Sequence, residues 1–407
     1  MIREITLKSG VKLILDPVES VKSVCVGIWC GSGSQNENKD EAGISHFIEH
    51  MLFKGTPTRN AFQIVQTMDS YGAEINAFTS KMRTCFYFRS ISEHLYSCCD
   101  VLVDMIEHPL FDQSELDREK LVIIEEINMN ADDPDDVAME LLDSIILDGS
   151  TLASPILGTK ESVSAFDHDA LNKYYREHYT RDNLVVSISG CFDEDKITEY
   201  FDSCFFDLDA KCRQDDFGKP VGRKENRTVT KDIEQAHIIM GLTTVPADDR
   251  RRYHMSILST IMGGGMSSRL FQNIREKKGL AYSIYSGNSF FDSTGEFCIF
   301  AGVAKNKVDE FLEGIKEELD RLDREPIDPD EFATAKEQLK SSVVFSMEGV
   351  QSRMRLNGRN YFNHGRCMDQ DELIDILNSI TIEDIEETKK LISNYDNYTI
   401  VNVTGKN

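Results

Sequence analysis

Apolar positions along the chain keep two different periods. In SVCVGIWC, residues 23–30, they form the near-continuous run of a buried strand, and in AEINAFTSKMRTCFYFRSI, residues 73–91, they alternate in two runs around Ser80 and Lys81, which predicts a hairpin. The opening MIREITLKSGVKLILDP alternates in the same way. Further on, AHIIMGLTT (236–244) predicts a second buried strand and YSIYSGNSFFDSTGEFCIFAGV a second hairpin. Long amphipathic stretches with helical spacing separate these runs. The pattern therefore predicts an α+β fold, an antiparallel-rich sheet packed with helices.

The two sets of elements echo each other. FDQSELDREKLVIIEE from Phe111 matches IDPDEFATAKEQLKSS from Ile327: Asp112 falls on Asp328, Glu115 on Glu331, Leu116 on Phe332 and Lys120 on Lys336, an offset of 216. DNLVVSISG from Asp182 is echoed by DNYTIVNVTG from Asp396 at an offset of 214 to 215. Two echoes at nearly one offset predict a duplicated domain, because solenoid repeats recur every ~20 to 50 residues. The expected division is a first domain over 1–210, a polar linker with Pro and Gly over 211–227, and a homologous domain over 228–407.

The duplication matters most for GISHFIEHMLFKG, residues 43–55. Asp40 as N-cap and Gly55 as C-cap predict a helix of about three turns. His46 and His50, four apart, share one face, with Glu49 on the same side. Imidazoles at that spacing can hold zinc, in the HxxEH order that reverses HExxH, although a core helix with satisfied polar residues fits the spacing as well. A third ligand must come from another rigid element. The helix expected over 114–129, opened by a capping box of Ser114 and Asp117, carries Glu119 and Glu126 seven apart and so on one face, while Glu125 points elsewhere. A solvated acidic face is the ordinary reading of such glutamates. The second half argues otherwise: Ala335 and Ser342 stand where Glu119 and Glu126 stand in the first, and HMSILSTIMGGG keeps only His254. Residues that solvate a surface have no reason to vanish together, so one metal site, in the first half, is the favoured reading.

Composition narrows the class. The chain has 407 residues, 40% hydrophobic and 28% charged, without an apolar run of the ~18 residues that a bilayer span requires. Its first residues, charged from Arg3 and Glu4 onward, fit neither a secretory nor a transit peptide, so the cytoplasm is expected. Ten scattered cysteines without a CxxC pair read mostly as reduced core residues. A net charge of −25 disfavours nucleic acid and anionic membrane as partners and fits basic peptides or simple solubility.

GISHFIEHMLFKGT, followed 76 positions after His50 by Glu126 within EKLVIIEEI, resembles the M16 or pitrilysin-type metallopeptidases, above all their processing-peptidase-like branch. MGGGMSSRLFQNIREKKGLAYSIYS, residues 262–286, and the duplicated halves extend the resemblance over nearly the whole chain. It implies a zinc endopeptidase of the inverzincin type with one Zn2+ per chain held by His46, His50 and Glu126. Glu49 would be the general base, Glu119 a supporting carboxylate, and Arg275 and Tyr282 the donors for the developing oxyanion. Asn76 and Ala77, in YGAEINAFTS, would belong to a strand edge on which a peptide substrate adds as a further strand. Gly263, Gly264 and Gly265 lack the lysine and hydroxyl of a P-loop, so a mobile or close-packing loop near the peptide is expected there, with Gly264 at the substrate. The resemblance further implies a clamshell chamber and, because one chain carries both halves of the machinery, a homodimer. A non-catalytic partner subunit of the same fold, or a zinc hydrolase of non-peptide substrates, remains the alternative.

Overall fold

The first sheet runs β1 (Arg3–Thr6), β2 (Lys12–Pro17), β3 (Ser23–Cys30), β4 (Glu74–Thr79), β5 (Thr84–Ile91) and β6 (Leu184–Gly190), in the spatial order β1-β2-β6-β3-β5-β4. The second has β7 (Arg227–Lys231), β8 (Gln235–Thr244), β9 (Ala281–Phe290), β10 (Gly295–Ala304) and β11 (Thr399–Gly405), in the order β7-β11-β8-β10-β9. This is a computed structural model that describes residues 2–406. Within each sheet one pair is parallel, β2 with β6 and β7 with β11, and the others are antiparallel. Apart from the extra β1, the second order repeats the first strand for strand, as the sequence echo anticipates. Each sheet ends in one strand of its hairpin, β4 or β9, whose outer edge pairs with no strand among the described residues.

Both faces of β3 are covered, which explains its unbroken apolar run. Val24, Val26 and Ile28 enter the main core with Phe47, Ile48 and Leu52, while Cys25 and Trp29 face a smaller cluster with Ile14, Tyr87 and Met354. Seven of the ten cysteines are buried. Among the described residues no helix is long and apolar enough to cross a membrane.

The helices that position the site and the sheets are α1 (Ile44–Leu52), α2 (Gln113–Asp132), α3 (Pro134–Ile146), α4 (Arg251–Gly263), α5 (Pro329–Ser346) and α6 (Val350–His364). The chain forms two compact units, and they do not follow the single cut at 211–227 expected above. The first contains the chain to Asn128, Ser154–Phe217 and Phe345–Asp369; the second contains Met129–Ala153, Gly218–Val344 and the chain from Gln370. The halves have exchanged a helix. In the second unit α3 packs on β8 and β11, with Leu142 against the bare backbone of Gly241 and Asp135 on His237 Nδ1 at 2.7 Å. In the first, α6 covers β3 and β6. Gly358 lies so close to Trp29 that a Cβ would stand 2.4 Å from its ring, and Arg353 forks onto buried Asp16 at 2.6 and 2.7 Å. Apolar periodicity shows that a helix buries a face, but not which sheet receives it.

Candidate metal centre

α1 is fixed from its N-terminus by a residue outside it. Gly43 occupies the N-cap at φ 91° and offers no side-chain cap. The Glu37 carboxylate takes that role, accepting the Gly43 N–H at 2.7 Å and the Ser45 N–H at 2.8 Å. It satisfies two amides that a helix start otherwise leaves open. The expected cap Asp40 lies instead in a short 3-10 turn, Lys39–Glu41. At the other end the helix stops at Leu52 with Phe53 as its cap, short of Gly55, which bridges to Asn60. Ile44, Phe47, Ile48, Met51 and Leu52 enter the core. His46, Glu49 and His50 are left on the half-buried face.

α2 supplies the carboxylates. Its start is capped by Asp112, which accepts from the Ser114 and Glu115 amides at 2.9 and 3.2 Å, so the expected box of Ser114 and Asp117 is replaced by an aspartate two residues earlier. Glu119 and Glu126 do share a face toward α1, and Glu125 is exposed, bonded to Asn128. Glu126 Oε2 lies 3.8 Å from His46 Nε2 and 3.6 Å from His50 Nε2, with the imidazole centroids 4.6 Å apart. These separations exceed a hydrogen bond, yet one ligand atom from each of the three residues lies within 4.8 Å of the others. Three lone-pair donors face one point without bonding each other. Among the described residues this is the sole such convergence of His, Cys, Asp or Glu. Ligands at zinc bond lengths of ~2.0–2.2 Å in a near-tetrahedral set stand ~3.3–3.6 Å apart, so the donor set fits a zinc-sized cation after a small contraction.

At His46 protonation agrees with ligation. Burial, aided by the neighbouring His50, drives the His46 pKa down to about 3, so its imidazole is neutral. His50 Nδ1 donates to Glu119 Oε1 at 2.8 Å, which leaves Nε2 as the lone-pair nitrogen toward Glu126. Burial disfavours charge on both partners, but the pair overrides it: His50 is held above its ordinary value and Glu119 below. Lys54 Nζ closes the chain on Glu119 Oε2 at 2.7 Å. Glu49 is displaced upward by burial, against a hydrogen bond from Thr79 Oγ1 to its Oε2 at 2.5 Å.

β4 runs beside α1. Asn76 and Ala77 lie on this edge strand, and the Asn76 side-chain oxygen accepts the Ala77 N–H at 2.8 Å. The remaining expected residues, Arg275, Tyr282 and Gly264, belong to the second unit. Arg275 sits on a π-helical segment, Phe271–Lys277, with its guanidinium 4.5 Å over the Phe271 ring. Tyr282 is on the outer strand β9 and 77% exposed. Gly264 caps the end of α4. Sequence reasoning passed over Glu37, Lys54 and Thr79. Lys54 carried a signal, four residues after His50; Glu37 reaches the site across a loop and Thr79 from the end of β4.

A zinc protease of Bacillus subtilis (strain 168), YmxG, itself uncharacterized, is 39% identical to this chain over 94% of its length and 93% of its own. The chain belongs to the M16 peptidase family. Residues 13–160 match the M16 insulinase domain and residues 165–339 the domain described as M16 inactive. A second uncharacterized zinc protease, from Streptomyces coelicolor, is 36% identical across 94% of this chain and 85% of its own. Among solved structures, an M16 inactive domain from Pseudomonas fluorescens superposes with TM-score 0.92 at 18% identity, covering 100% of this chain and 98% of that one. A protease from Helicobacter pylori gives 0.92 at 19%, with 99% of each chain covered. At such identities these two carry the fold alone. M16 membership accounts for the duplicated architecture, and the metal-ligand convergence falls in the half that matches the insulinase domain.

Proposed function

We propose that this M16 protein is a zinc-dependent endopeptidase whose metal is held by His46, His50 and Glu126, with Glu49 as general base. The observation that carries the reading is the convergence of those three lone-pair donors on one point, with His50 oriented from behind by Glu119. When bound, zinc would polarise the scissile carbonyl and acidify the attacking water. Glu49 takes the proton of that water and returns it to the leaving amine; its half-buried carboxyl, displaced upward in pKa, is suited to both transfers. Glu119 keeps the His50 tautomer that presents Nε2, and Lys54 holds Glu119. The open edge of β4 accepts an extended peptide through its main chain, with Asn76 releasing the Ala77 amide to it. Arg275 and Tyr282 would stabilise the oxyanion, in the same chain or across a homodimer.

Zinc content and cleavage of a pool of quenched peptides, with and without chelator, test the reading. Wild type should carry one zinc per chain and cut, and Glu49→Gln should keep zinc and lose cleavage. Stoichiometric zinc without cleavage of any peptide by wild type would leave a non-catalytic partner subunit or a different substrate class. Mixing Glu49→Gln with Tyr282→Phe chains separates action within one chain from action across two: regained activity supports a shared site.

A further inference from the structure

The carboxylate proposed as base is held by one side chain. Thr79 Oγ1 donates to Glu49 Oε2 at 2.5 Å, and among the described residues no other group hydrogen-bonds that carboxylate. A glutamate side chain has three rotatable bonds, whereas a β-branched threonine in a strand is confined to few rotamers. The stiffer partner therefore sets the geometry.

Its backbone is fixed as well. Thr79 is the last residue of β4, paired with Thr84 of β5. The turn that follows is tied to the segment leading into α1: the Ser34 N–H donates to Ser80 O at 3.2 Å and the Gln35 N–H to Lys81 O at 2.7 Å. Within the turn the Ser80 N–H donates to Arg83 O at 2.8 Å, and the Arg83 N–H to Ser80 Oγ at 3.1 Å. Gly33 permits this closeness, since a Cβ there would stand 2.3 Å from Ser80 O. The hydroxyl is thus presented from a strand end clamped to the same loop that Glu37 joins to the start of α1.

We propose that Thr79 is the positioning residue for Glu49: its hydroxyl occupies Oε2 and turns Oε1 toward the water to be deprotonated. The inference rests on the reading of Glu49 as base. It adds that the edge strand on which the peptide docks also sets the base, so substrate and base are registered by one strand. A hydrogen bond to a charged group of this kind orients at little cost, because both partners are already in place.

The test uses the full-length, zinc-loaded chain and compares wild type, Thr79→Val, Thr79→Ser and Glu49→Gln for kcat, KM, zinc content and thermal melting. Thr79→Val should lower kcat by about ten- to a hundredfold, the range commanded by a charge-assisted hydrogen bond, with KM, zinc and melting unchanged. Thr79→Ser, which keeps the hydroxyl, should recover most of the rate. A merely structural threonine would shift melting or zinc and would not single out kcat. If Thr79→Val melts early, Thr79→Ala, which adds no atom, takes its place in the comparison. A kcat within twofold of wild type in the folded variant, with Glu49→Gln inactive, overturns the positioning role and leaves the base in place. An active Glu49→Gln overturns the base reading itself, and the inference with it.

Discussion

Glu37 links the stability of the first unit to pH in a direction opposite to most carboxylates. It is 3% exposed, and burial pushes its pKa from an ordinary 4.5 up to about 8, although the Gly43 and Ser45 amides favour the ionised form. Between those two values the folded chain binds a proton that the unfolded chain does not, so stability falls as pH rises. The contribution is complete below about 4.5 and lost once pH passes about 8. At about 1.4 kcal/mol per pH unit the whole interval amounts to roughly 5 kcal/mol, and pH 5 to 8.5 spans about 4 kcal/mol of it. Glu37→Gln removes the titration while leaving one acceptor for the two amides; it costs a fixed amount at every pH. Trp29, the sole tryptophan, is buried in this unit, so its fluorescence during urea unfolding in the presence of chelator reports on the right core. The difference between wild type and Glu37→Gln should narrow by about 4 kcal/mol on going from pH 5 to 8.5, with the other titrations cancelling. Parallel curves, within about 1 kcal/mol, would mean that the two amide donors outweigh burial and that the carboxyl is ionised in the folded chain.

Other consequences are simpler to read. Lys54→Met leaves Glu119 with His50 alone and should weaken zinc binding by about tenfold, the low end of what outer partners of a ligand contribute; competition against a chromogenic chelator measures it. Glu126→Gln withdraws the anionic donor and should lower zinc affinity by more than about a hundredfold, while melting of the metal-free protein stays at the wild-type temperature. Arg353→Met strands the buried Asp16 carboxylate, among the described residues, with Asn357 and Ser189 as its remaining side-chain partners, and should cost the first unit about 3 kcal/mol in the same tryptophan-detected unfolding.

The strand limits were legible because alternation and turn residues are local. β3 spans the run read as its strand, residue for residue, and the β4–β5 hairpin turns at Ser80 and Lys81 as expected. The ends of α1 were not legible, since its N-terminus is closed by Glu37 across six residues of loop rather than by a neighbour in sequence. The convergence of His46, His50 and Glu126 was readable through the family resemblance and through the duplication, which marked Glu119 and Glu126 as residues present in one half and missing from the other. Thr79 and Lys54 each enter through a single hydrogen bond or ion pair whose partner lies on another element; the spacing of Lys54 from His50 hinted at its place, and nothing of the kind marked Thr79. The exchange of α3 and α6 escaped for a related reason: either sheet would bury their apolar faces.

In the second unit the corresponding helix and edge strand meet differently. There α4 lies against β9 much as α1 lies against β4, but side chains of the strand bond directly to carbonyls of the helix. Ser286 Oγ donates to Ser259 O at 2.8 Å, Asn288 donates to Met255 O at 3.0 Å, and a Cβ at Gly263 would stand 2.4 Å from the Ser286 nitrogen. At Gly263 no room remains for a side chain against the strand backbone. In the first unit that joint is made by side chains, Glu49 to Thr79, with His46 and His50 beside it. Replacing Ala335 and Ser342 by glutamate in the second unit would therefore not recreate a site, because α4 carries one histidine, His254, where α1 carries two. In the first unit the half-buried face of α1 keeps His46, Glu49 and His50 beside β4, and the Glu49–Thr79 contact joins helix and strand there.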